Sequence, residues 1–124
     1  MRYLSMLKMD ENLSAEIGPP PPALFAAIGQ FADDVAREGL LVEQGGLLPS
    51  AAGALITVDG GRLEIQDGPF AEARELVGGY SICDFRSKED AVEFSRRFMQ
   101  LHVDTWPGFR GVCELRQLME FDGR

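Results

Sequence analysis

Apolar positions along this chain switch between a period of two and a longer helical period. Residues 3–9 alternate loosely in Tyr, Leu and Met and predict a strand. The strand is apolar on both faces, which suits a central place in a sheet. Residues 10–18 are polar and predict a loop or a short irregular turn. Pro19 to Pro22 form a stiff lead-in, and Pro22 fits the first position of a helix, where its missing N–H has no partner to lose. From Ala23 the spacing changes. Leu24, Ile28, Phe31 and Val35 share one helical face, while Asp33, Asp34, Arg37 and Glu38 fall largely on the other side. Gly39 supplies a left-handed stop. Burying those four apolar side chains contributes roughly 6–12 kcal/mol gross, at about 1.5–3 each. That rivals the net stability of a domain, so the helix must dock on a sheet.

Leu40 to Gln44 predicts a short strand, broken by Gly45-Gly46 and again by Pro49-Ser50. Leu55 to Val58 and Arg62 to Gln66 predict a hairpin about the turn Asp59-Gly60-Gly61, since Asp-Gly between alternating runs is a strong hairpin signal. Leu76 to Phe85 predicts the longest strand, with Tyr80 and Ile82 on one face and Ser81, Cys83 and Phe85 on the other. Gly78-Gly79 within it marks a bulge or the close approach of a backbone or ligand. Ser87-Lys88-Glu89-Asp90 opens a second helix with capping-box spacing. Ala91, Phe94, Phe98 and Leu101 make its inward face. Trp106-Pro107-Gly108 ends it, and Val112 to Phe121 predicts the last strand. The order is β-α-β, an inserted hairpin, then β-α-β. Two such halves give a four-stranded antiparallel sheet, in a single domain over residues 1–124, with both helices on one face. The fold class is therefore α+β of the ferredoxin-like kind. A sheet apolar on both faces but covered on one implies a partner, and a second copy is the economical choice.

Between the hairpin and the longest strand lies Asp67-Gly68-Pro69-Phe70-Ala71-Glu72-Ala73-Arg74-Glu75, running into Gly78-Gly79-Tyr80. Gly68-Pro69 forces a sharp bend, because proline fixes its own φ and keeps the residue before it out of the helical region. Asp67 can accept hydrogen bonds from backbone N–H groups in that bend. Two readings follow. The segment is a turn with a solvated charged tail, or it lines the mouth of a pocket and presents carboxylates to a ligand. The nine residues resemble the DGPF motif of the YCII-related family, whose members typically carry DGPFAETKE and a GGY or GGF continuation. Ala73-Arg74 here stands where Thr-Lys is usual. The resemblance extends over most of the chain. It implies a ferredoxin-like dimer with two sheets face to face, the dimeric α+β barrel. Most members have no established function, and some are encoded beside extracytoplasmic-function sigma factors.

Charge narrows the partners. Twelve basic against 20 acidic residues give a net charge of −8, which disfavours nucleic acid and anionic membrane surfaces. No apolar run approaches the length of a membrane span. The N-terminus is short and charged, unlike a secretion signal, so a cytoplasmic location is expected. Cys83 and Cys113 have no metal-ligand spacing and read as small buried apolar residues.

The candidate chemistry is sparse. His102 is the one histidine, near the end of the second helix, where the helix dipole favours its protonated form and Asp104 can orient it. The commoner role for such a histidine is a cap or a surface residue. Some YCII-like proteins carry a His–Asp pair with the histidine on the first helix; that helix has none here. Asp67, Glu72 and Glu75 are the other acid–base candidates, if Phe70 and Tyr80 supply an apolar wall that raises a carboxylate pKa. Alternatively Arg74 pairs with Glu72 or Glu75 and simply holds the loop. One histidine and two widely spaced cysteines make no zinc site. An oxygen-only site from Asp67, Glu72 and Glu75 stays open but nothing requires it. No phosphate loop or dinucleotide fingerprint is present, and no cofactor is expected. Two functions remain. One is a small-molecule-binding protein with Asp67, Gly68, Pro69, Phe70, Glu72 and Tyr80 at its cleft, with proton transfer on a small organic substrate if it is an enzyme. The other is a non-catalytic accessory protein that contacts a protein partner such as a sigma factor.

Overall fold

The computed structural model describes residues 1–70 and 75–120. Strand β1 (Arg2–Met9) is followed by a short helix α1 (Leu13–Ile17) and the long helix α2 (Pro22–Arg37). Then come β2 (Leu41–Gly46), a 3₁₀ turn at Ser50–Ala52, and the hairpin β3 (Ala54–Asp59) and β4 (Arg62–Asp67). Strand β5 (Leu76–Asp84), helix α3 (Lys88–Thr105) and strand β6 (Val112–Gln117) complete the order. The main sheet runs β2-β5-β1-β6 with every pairing antiparallel, and β3-β4 form a separate two-stranded sheet. This is the α+β arrangement expected, with β1 central.

Both long helices lie on one face. Tyr3 of β1 and Cys83 of β5 form the core with Val35 of α2 and Ala91 of α3, joined by Phe85. Phe31 and Phe94 bring the two helices together at a ring-centroid distance of 5.1 Å. The Ser5 and Ser95 hydroxyls meet at 3.3 Å between sheet and helix, and Ser95 also donates to the Ala91 carbonyl. The predicted stripe Leu24, Ile28, Phe31 and Val35 is the buried side of α2. Ser87 caps α3 as its spacing predicts, accepting the Asp90 N–H at 3.1 Å.

The opposite face of the sheet carries Leu4, Met6, Tyr80 and Ile82, half-buried among their own neighbours. Charged pairs rim it: Arg2 with Asp84, and Lys8 and Arg116 with Glu114.

Three predicted boundaries move. The polar stretch 10–18 contains α1, whose buried residue is Leu13; five residues carry too little periodicity to read. Gly45 and Gly46 continue β2 instead of breaking it, opposite Tyr80 and Gly79. Gly45 is there for packing: a Cβ would sit 2.9 Å from the Tyr80 ring. The last strand ends at Gln117, where pairing with β1 stops at Tyr3, and Phe121 lies outside the described residues.

Candidate functional site

The bend after β4 is an elbow fastened to the chain it crosses. Gly68-Pro69 is a cis peptide. The Gly68 N–H donates to the Gly53 carbonyl at 2.9 Å, and a Cβ on Gly68 would collide with the Ser50 carbonyl group. Only glycine lets the two backbones come this close. Ser50 is buried, and its Oγ has two duties: it accepts the Phe70 N–H at 3.0 Å and donates to Glu11 Oε2 at 2.8 Å. The other Glu11 oxygen accepts the Ser50 N–H. A carboxylate from the loop after β1 thus holds the 3₁₀ turn, and the turn holds the elbow.

This pinning places Phe70 on the wall of a cleft of about 470 Å³. Leu47, Leu48, Leu76 and Val77 provide apolar wall, and Ala54 at the start of β3 closes one side. Glu11 is the single ionisable side chain among the described lining residues, and both of its oxygens are tied to Ser50. The volume falls in the range of small-molecule pockets.

The predicted site residues divide. Phe70 lines the cleft, and Gly68 and Pro69 shape the elbow behind it. Asp67 is exposed and stands opposite Ala54 on the hairpin, beside the cleft but off its lining. Tyr80 lies on the open sheet face, where its hydroxyl donates to Glu43 at 2.6 Å; that bond pushes the hydroxyl pKa upward. Glu72 and Arg74, and with them the proposed pairings of Arg74, lie outside the described residues. Glu75 is exposed. Glu11 and Ser50 were not singled out in the sequence. They stand 39 residues apart, and nothing local marks either as a neighbour of the bend.

His102 is neither a cap nor a surface residue: it is 2% exposed. It follows Phe98 by one helical turn and so faces inward, its Nδ1 paired with the Phe98 carbonyl at 3.1 Å. Its ring packs against Phe98 and Phe109, at centroid distances of 5.0 and 4.7 Å. Burial pushes its pKa down, opposite to the dipole effect expected from its position. Asp104 lies around the helix on the solvent side and accepts from Gln100 at 2.9 Å, so it does not orient the imidazole. Nearby, the buried Trp106 Nε1–H has no hydrogen-bond partner among the described residues. Burial likewise raises the Cys83 and Cys113 thiols.

A second cavity of about 420 Å³ lies between the ends of α2 and α3, over the core rings of Phe85 and Phe94. Its rim alternates acids and bases, including Asp34, Glu38, Arg86 and Arg97. Arg97 is already engaged over the Phe31 ring. This cavity is the more enclosed of the two but is rimmed by charged side chains; the elbow cleft is more open and has one ionisable residue, Glu11, among its described lining. Among the described residues no group of three or more His, Cys, Asp or Glu side chains converges for a metal. No described helix is long and apolar enough to cross a membrane.

The comparisons with known proteins agree with the motif. A family model described as the YCII-related domain matches residues 1–122. An uncharacterized protein of Rhizobium meliloti (strain 1021) is 36% identical over 72 residues, covering 58% of this chain and 54% of that protein. The match thus spans about half of that relative's length.

Proposed function

The chain belongs to the YCII-related family, and on that premise we propose that it binds a small, largely apolar organic molecule in the cleft beside the elbow. One observation carries this reading: Ser50 and Glu11 hold the backbone at Phe70, which lines the cleft together with Leu47, Leu76 and Val77. A preformed apolar pocket with few polar groups is the usual form of a small-molecule site. Proton transfer there would fall to Asp67, which stands beside the cleft opposite Ala54. His102 lines neither cavity, and its aromatic surroundings favour a packing role. The ligand class follows from the walls: no described cation lines the cleft to attract an anion. We place the protein in the cytoplasm, as a homodimer joined through its open sheet faces.

A thermal-shift screen against a library of neutral metabolites tests this. At least one compound raises the melting temperature, and Phe70→Ala removes that rise while keeping the native circular dichroism. A library that never moves the melting temperature would falsify the reading. It would favour the second one, an accessory protein acting through protein contacts such as those with a sigma factor. The exposed apolar hairpin is the observation that supports that alternative.

A further inference from the structure

The hairpin β3-β4 is an anomaly for a free-standing chain. Its strands pair only with each other, and every residue in both is exposed. The register places Ile56 across from Ile65 and Val58 across from Leu63, so all four share one face. They are 65 to 76% exposed. The other face carries Thr57, Asp59, Arg62, Glu64 and Gln66, with Leu55 the one large apolar side chain among them. A two-stranded ribbon is marginal by itself, and one with a bare apolar stripe needs a cover. Among the described residues nothing supplies it: the ribbon is fastened at its base, where the Gly68 N–H donates to the Gly53 carbonyl.

The stripe is continuous with the cleft. Ala54 lies on the same face of β3 as Ile56 and Val58, and Ala54 is cleft wall. On the far rim, Leu48 is 81% exposed. A partner that covers the stripe as far as Ala54 reaches the edge of the cleft. We infer that a second copy of this chain covers it, and that the ligand site is shared between the two copies.

Two arguments select a second copy. The first is electrostatic. Two molecules of charge −8 repel unless they meet through neutral surface. On that face the stripe is neutral from Ile56 to Val58 and from Leu63 to Ile65; its one charge, Asp67, stands at the hairpin's base opposite Ala54, and Glu64 is on the other face. The open sheet face is also balanced: Arg2, Lys8 and Arg116 stand against Glu43, Asp84 and Glu114. The second is shape. Each copy carries both an apolar ridge, the hairpin, and an apolar recess, the cleft, so a two-fold contact satisfies both at once. A stable interface takes about 800 Å² from each partner. The stripe supplies part of this, and Leu47, Leu48 and the open sheet extend it. The shared site rests on the cleft reading above; the hairpin contact does not.

The test combines sedimentation velocity with binding of N-phenyl-1-naphthylamine, a neutral probe that fluoresces in apolar surroundings. The wild-type protein sediments as a dimer and binds the probe. Ile56→Asn with Ile65→Asn changes side chains that are solvent-exposed within one chain, so the native circular dichroism is retained. Its dimer dissociation constant rises about 100-fold or more, through lost apolar burial, and probe affinity falls with it. Glu64→Gln, on the polar face, leaves both unchanged and so supports the assignment of faces. A monomeric wild type, or a double variant that dimerises normally, overturns the inference. A monomeric double variant with full probe affinity retains the cleft and overturns the sharing. A wild-type dimer that ignores the probe overturns the cleft, and the shared site with it, while the hairpin contact stands.

Discussion

Gly68 is the residue on which the elbow depends, and its role is steric. The chain there passes so near the Ser50 carbonyl that any side chain meets backbone, which cannot swing aside as a flexible side chain would. Gly68→Ala must therefore separate the elbow from the 3₁₀ turn. That breaks the Phe70 N–H bond to Ser50 and the Gly68 N–H bond to Gly53. The expected loss is about 3 kcal/mol, at the upper end for overpacking combined with broken hydrogen bonds. Urea unfolding measures it, and a loss below about 0.5 kcal/mol, the scale of an ordinary surface change, would show that the elbow does not press on residue 50. The glycine-proline bend was legible in the sequence because proline restricts both its own φ and its predecessor. The partners of the bend were not legible. Glu11 and Ser50 become neighbours only after β1 and the hairpin base are brought together by the sheet, and no local pattern encodes that meeting.

Elements were legible in proportion to how local their causes are. Helix α3 starts where Ser87 can cap it, and the acceptor geometry to Asp90 is realised. Helix α2 has no side-chain cap and starts on Pro21-Pro22 instead, again a local cause. Ser87→Ala is therefore expected to cost about 1 kcal/mol, the usual worth of a serine cap. Thermal unfolding should show it as a lowered midpoint with native circular dichroism retained; an unchanged midpoint would mean that packing of Ala91 and Phe94 alone fixes the start of α3. Where the cause is tertiary, local reasoning fails. Gly45 looks like a strand breaker until Tyr80 is seen to lie across it. His102 looks like a helix-end cation until Phe109, from beyond the helix, closes over its ring. The same distinction applies to α1, whose five residues depend on burying Leu13.

At the scale of the molecule, these placements separate two sources of pH dependence. The lowered carboxyl pKa values belong to exposed pairs: Asp84 through its hydrogen bond to Arg2, Glu93 through Arg96, and Glu114 through Lys8 and Arg116. Their contribution is present above the ordinary carboxyl range and is lost as pH falls below about 4.5. Exposure and salt keep it small. His102 acts in a higher window and through burial. The folded chain holds its imidazole neutral between Phe98 and Phe109, whereas the unfolded chain takes up a proton near the ordinary value of about 6.5. Above that pH both states are neutral, and the residue adds no pH dependence. Below it the unfolded state binds more protons, so stability falls with pH until the folded imidazole itself titrates. His102→Leu removes the group while keeping an apolar side chain of similar size. Unfolding free energies measured from pH 7.5 to 5 should decline for the wild type, at no more than about 1.4 kcal/mol per pH unit, the slope of one proton. The variant should be flat over that range and should join the wild-type decline only in the carboxyl window. Parallel curves for the two proteins would place the proton uptake elsewhere and show that burial between Phe98 and Phe109 does not hold the imidazole neutral.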